Sequence, residues 1–106
     1  MEKTGQPESI GLRIRQKREE LHLTQETVSE ILDISQTHYK NIERGRANMS
    51  LDLFLRICRE LQLDPTYVLT GKQIQNNPII DFYNSLPEDK RVSMDRAMYF
   101  LAQIYK

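Results

Sequence analysis

One cysteine, no tryptophan and no long apolar run are the first features of this 106-residue chain. A lone Cys58 allows no internal disulfide, which fits a reducing compartment. A bilayer-spanning helix needs roughly 20 consecutive apolar residues, and no such stretch occurs. Residues 1–7 lack the apolar centre of a secretory signal. These absences describe a soluble cytoplasmic protein that has no membrane association. An excess of either charge is missing too, because 15 basic side chains balance 15 acidic ones. Even residues 1–71 carry ten basic against eleven acidic groups. A nucleic-acid partner, which draws affinity from neutralised phosphates, must therefore be argued from the placement of charge. That placement is local: between Gln36 and Asn48 stand Lys40, Arg44 and Arg46 against the single acid Glu43.

What is present is helical punctuation. Ser9 is placed to cap a helix on which Ile10, Ile14 and Leu21 recur at helical spacing. Thr24 opens a second helix through Leu32, with Glu26 against its positive N-terminal dipole. Asp33 and Ile34 make a tight turn, Ser35 caps a third helix over 36–44, and Gly45 ends it. Ser50 caps a fourth, whose stripe is Leu53, Phe54, Ile57, Cys58 and Leu61. Asp64 followed by Pro65 starts a brief fifth helix that stops at Gly71. No strand-period alternation appears, so the fold class is all-α. Residues 72–77 read as a linker. Beyond it Ile79, Ile80, Tyr83 and Leu86 suggest a short helix. Ser85 and Glu88 form a capping box that should open a last one. There Met94, Ala97, Met98, Leu101 and Tyr105 make one stripe, with Phe100 and Ile104 on a second face.

The third helix carries the chemistry. Tyr39 and Ile42 point inward at i and i+3, while Gln36, Thr37, His38, Lys40, Asn41 and Arg44 are polar. Gln and Asn side chains bond adenine bidentately at N6 and N7, and Thr bonds a base or touches a thymine methyl. A merely solvated face is more often rich in Glu and Lys. This one is rich in neutral groups able to read base edges.

Together these residues resemble a known family. Ile14, Arg15 and Arg18, then Leu23-Thr24-Gln25, Val28, Leu32, Ile34-Ser35, Ile42-Glu43-Arg44-Gly45, Leu51, Leu61 and Tyr67-Val68-Leu69 are similar to the Cro/phage-repressor (XRE) helix-turn-helix family over residues 10–71. The resemblance implies a five-helix lambda-repressor-like DNA-binding domain over 9–71; the linker over 72–77 and the short helical extension over 78–106 lie outside it. It also implies a homodimer on a palindromic operator in double-stranded DNA, with no catalysis. By position, Gln36, Thr37 and Asn41 correspond to base contacts, with Lys40 a further candidate. Thr24, Gln25, Ser35, Arg44, Arg46 and Asn48 correspond to contacts with the DNA backbone, and Arg18 with Glu43 to a structural ion pair. His22 and Asp33 stand where the family favours glycine, Ser29 replaces a frequent alanine, and Lys17 and Tyr39 depart from apolar positions.

Other chemistry is poorly supported. No nucleophile, histidine and acid stand together, no glycine-rich loop could cradle a phosphate, and neither His22 nor His38 has metal-ligand neighbours. No catalytic residue, metal or cofactor is expected, and Cys58 reads as core. The apolar tail has three readings: packing in cis, dimerisation, or capture of a regulatory protein. Its apolar content favours dimerisation through Ile80, Tyr83, Met98, Leu101 and Tyr105. The expectation is a repressor. Its rivals are an antitoxin that binds a toxin partner through the tail, and a protein-bridging module that no longer reads DNA.

Overall fold

A computed structural model describes residues 9–73, 76–89 and 91–104. It consists of α1 (Ile10–Glu20), α2 (Gln25–Leu32), α3 (Gln36–Glu43), α4 (Leu51–Leu61), α5 (Pro65–Thr70), α6 (Pro78–Asn84) and α7 (Met94–Ile104). The architecture is all-α. Each of the first five helices begins at the side chain expected to cap it. Ser9, Thr24, Ser35 and Ser50 accept the amides of Leu12, Thr27, His38 and Leu53 at 3.0–3.2 Å. Asp64 accepts that of Thr66 at 3.3 Å. Such a cap contributes about 1 kcal/mol, which matters for helices as short as eight residues.

Four helix ends share one geometry. His22, Asp33, Gly45 and Gln62 adopt left-handed φ of 60°, 58°, 75° and 59°. The next amide then reaches back to close a six-residue ring: Leu23 to Arg18, Ile34 to Ser29, Arg46 to Asn41 and Leu63 to Cys58, at 2.8–3.1 Å. This is the Schellman arrangement, in which the residue after the left-handed one normally returns an apolar side chain to the helix. Leu23, Ile34 and Leu63 do so, each packing on the core. The remaining position, after Gly45, is occupied by Arg46, which is exposed.

One core runs through all seven helices. Ile14, Val28, Leu32, Tyr39, Ile42, Phe54, Ile57, Leu61 and Val68 fill it from α1 to α5. The C-terminal segment completes it with Ile79, Ala97 and Leu101. Phe82 stacks on Phe100 with ring centroids 4.3 Å apart. The buried Thr66 hydroxyl donates to the Asn77 side-chain oxygen at 2.8 Å, just before α6. The extension thus packs in cis on α4 and α5.

The last helix departs from the sequence expectation. Ser85 and Glu88 do not open it; Ser85 ends α6 and donates its hydroxyl to the Phe82 carbonyl. The helix starts at Met94 because the chain before it is held elsewhere. Ser93 forms an isolated antiparallel bridge with Ser50. The Leu51 amide donates to the Val92 carbonyl at 2.6 Å, and the Met94 amide to the Met49 carbonyl at 3.0 Å. The first amides of a helix have no partner within it, and here Val92 supplies one to α4.

At Gly11 the helices α1 and α3 approach closely. A Cβ there would collide with the Glu43 carbonyl oxygen and lie 2.8 Å from that of Ile42, both in the last turn of α3. Gly11→Ala should therefore destabilise the protein by about 2 kcal/mol, the usual cost of overpacking. Urea denaturation checks this; an unchanged midpoint would show that α1 and α3 separate at little cost.

Candidate nucleic-acid interface

Burial divides α3 into two faces. Tyr39, Ile42 and Glu43 are buried, whereas Gln36 and Thr37 are exposed and Lys40 and Asn41 half-buried. Residues 36, 37, 40 and 41 follow i, i+1, i+4 and i+5, so the four expected base-contacting side chains share the outer face. Arg44 continues the same row one turn on and is exposed. His38, half-buried, lies to one side of it.

Under this face lies a buried polar cluster. The Arg18 guanidinium donates twice to Glu43, from Nε at 2.7 Å and from NH2 at 3.2 Å. Its NH1 donates to the Leu23 carbonyl at 2.9 Å, and the Gln25 amide donates to Glu43 Oε1 at 3.0 Å. One carboxylate therefore joins α1, α2 and α3. Burial alone would raise the Glu43 pKa; hydrogen bonding by Arg18 leads the opposing effects and holds it below the usual carboxylate range. The same contact holds the Arg18 guanidinium above its ordinary value. The Tyr39 hydroxyl is buried without a well-formed hydrogen bond, and burial first, then the adjacent Glu43, pushes its pKa far up.

The residues expected at the DNA backbone fall into two groups around α3. Thr24, Gln25 and Arg44 line a cleft of about 470 Å³ together with Arg15, Arg18, Leu23 and Glu43. Three guanidinium groups thus border it. The amides of the first turn of α2 open nearby, an arrangement that favours phosphate. Ser35 caps α3 from an exposed position, and Arg46 and Asn48 are exposed on the loop that follows α3. Arg15, although part of the family resemblance, was not assigned to the DNA backbone, since an ion pair with Glu19 four residues on (3.1 Å) is also an ordinary surface arrangement. Its spacing of three from Arg18 was the available signal.

The proposed dimer contacts are not brought together. Leu101 is 3% exposed on the inner face of α7, so it offers no surface to a second copy. Ile80 and Tyr83 are half-buried beside α4, with the Tyr83 hydroxyl donating to Asp52 at 2.7 Å. Met98 alone is exposed, and Tyr105 lies outside the described residues. Composition revealed how much apolar surface the tail carries but not that α4 and α5 would cover most of it. Among the described residues no group of three His, Cys, Asp or Glu side chains could hold a metal ion, and no helix is long and apolar enough to cross a membrane.

This geometry coincides with a family. Residues 14–68, more than half of the chain, match the helix-turn-helix family, and the chain belongs to it, in its XRE-type branch. That makes it a DNA-binding regulator of transcription. A curated relative is the HTH-type transcriptional regulator DicA of Escherichia coli (strain K12), 28% identical over an alignment of 98 residues, gaps included, with 78% of this chain and 73% of the relative covered. No solved structure matches the chain significantly.

The lowered pKa of Glu43 gives a signed expectation. Because the folded state holds this proton less readily than the unfolded chain, the stabilisation is complete above the ordinary carboxylate range. It is lost as pH falls through the folded value. Glu43→Gln leaves Arg18 buried without its counter-charge and should cost about 3 kcal/mol near neutrality. The same substitution should flatten the loss of stability on acidification, measured by urea midpoints from about pH 7 to about pH 3. A parallel pH profile in the variant would mean that Glu43 does not carry this dependence.

Proposed function

We propose that this protein represses transcription as a homodimer that lays α3 in the major groove of a palindromic operator. The observation that carries the reading is the division of α3: base-reading side chains cover its outer face, while its inner face is fixed by Tyr39, Ile42 and the Glu43 cluster. Gln36, Thr37, Lys40 and Asn41 read bases. Thr24, Gln25, Ser35, Arg44, Arg46 and Asn48 hold the sugar-phosphate backbone, with Arg15 added from the cleft. The exposed Arg46 at the end of α3 supports this, because an apolar side chain would satisfy the local geometry better. Bound across a promoter, such a dimer excludes polymerase by occupancy.

The dimer contact is better placed on the exposed face of α7, which keeps Met98 from the residues expected from the sequence and drops Ile80, Tyr83 and Leu101. Met98, Tyr99 and Ala102 are exposed at i, i+1 and i+4 on one face, and Tyr99 is 67% exposed. A two-fold axis there would set two reading helices toward successive half-sites, one helical turn apart.

Fluorescence anisotropy on DNA from upstream of its own gene, beside a scrambled duplex at two salt concentrations, tests the reading. Asn41→Ala should weaken operator binding by about 1–3 kcal/mol and relax preference at particular base pairs. Arg46→Ala should weaken both duplexes alike and reduce the salt slope by about one. If both variants act identically on the two duplexes, the division of roles is wrong. Light scattering tests the dimer: Met98→Glu combined with Tyr99→Glu should yield a folded monomer. A persistent dimer would remove α7 from the interface.

A further inference from the structure

We propose that the cleft between α4, α5 and α6 binds a small organic carboxylate with an apolar body. The cleft encloses about 420 Å³, within the roughly 300–1,000 Å³ typical of ligand sites. Leu55, Leu63, Pro65, Ile80 and the ring of Tyr83 provide its apolar walls. Such a surface holds a hydrocarbon or aromatic body and discriminates little on its own. The polar groups set the ligand's charge.

The Asp52 and Asn77 acceptors in the cleft are already engaged. Asp52 accepts the Tyr83 hydroxyl at 2.7 Å and lies 4.0 Å from the Arg91 guanidinium. The Asn77 side-chain oxygen accepts from Thr66 at 2.8 Å. The groups that remain are mainly donors. Arg59 makes no ion pair or hydrogen bond through its guanidinium among the described residues, although it lines the cleft. The NH2 group of Asn77 has no partner there either, and Asn84 stands exposed at the rim. Arg56 adds a second positive charge, although it donates one bond to the Leu32 carbonyl at 2.8 Å. A cation and amide donors beside a dry wall complement one anionic head on an apolar body. They disfavour a cationic ligand, and a neutral one would leave Arg59 unanswered.

The site is separate from the surfaces assigned above. No residue of α2, α3 or α7 lines it, so an occupant neither blocks base reading nor requires the dimer face to open. It therefore stands or falls independently of the proposed operator binding.

The test is titration of the full-length, 15N-labelled protein with 2-naphthoate and with octanoate, followed by amide chemical shifts. Parallel titrations use 2-naphthamide and the 2-naphthylmethylammonium cation. At least one carboxylate should bind saturably, with its shifts concentrated at Leu55, Arg59, Leu63, Ile80 and Tyr83, and the cation should not. Arg59→Gln, an exposed position where folding is not at stake, should weaken the carboxylate about tenfold and leave 2-naphthamide unchanged. Ile80→Trp, filling the cleft, should abolish binding of both while circular dichroism stays native. Absence of saturable binding by both carboxylates would overturn the proposal. So would shifts scattered over the surface, or indifference of the carboxylate to Arg59→Gln.

Discussion

The two hydrogen bonds between Arg18 and Glu43 are the constraint on which the reading surface depends. At eight residues, α3 is too short to hold its shape or direction alone. An acid in its last turn even opposes the helix dipole, by about 0.3–1 kcal/mol. Hydrogen bonds between charged groups contribute about 1.5–3 kcal/mol each, so the pair outweighs that penalty. A buried pair returns little net stability once desolvation is counted, but it tolerates few geometries. Here the restriction serves orientation: Glu43 is tied to α1 through Arg18 and to α2 through Gln25, with Gly11 letting the helices meet. A lysine in place of Arg18 could not supply the planar fork that meets both carboxylate oxygens.

The same pair resolves the neutrality of the chain. Glu43 is 5% exposed, so its charge is spent inside and adds little to the potential over the outer face of α3. Lys40, Arg44 and Arg46 then act almost unopposed within that stretch. Net charge counts every side chain equally, whereas phosphates respond to those near the surface. A regulator can thus be neutral overall and positive where it touches DNA.

Helix starts were legible because the signals are local: a Ser, Thr or Asp, an apolar period and a following turn. The outer face of α3 was legible for the same reason. What escaped the sequence was non-local. Ser85 and Glu88 have the right spacing to start a helix, yet α7 waits until Met94 because Val92 is bonded to Leu51, forty-one residues earlier in the chain. Gln62 gives no hint of a left-handed backbone; burial of Leu63 and its amide bond to Cys58 impose it. Gly11 resembles any helical glycine until the carbonyls of α3 are set against it. The cleft at Arg59 draws on three helices, and no window of sequence contains it.

The bridge between Ser50 and Ser93 has a consequence for the order in which the molecule is completed. A chain made from its N-terminus exposes α1 to α5 first, and those helices can pack while the rest is still being added. The Leu51 amide and the Met49 carbonyl have no such early partners, since Val92 and Met94 arrive only near the end of the described chain. The loop bearing Arg46 and Asn48 is therefore fastened at its far side after the helix it follows is already in place. Of the surface proposed to face DNA, this loop is finished last.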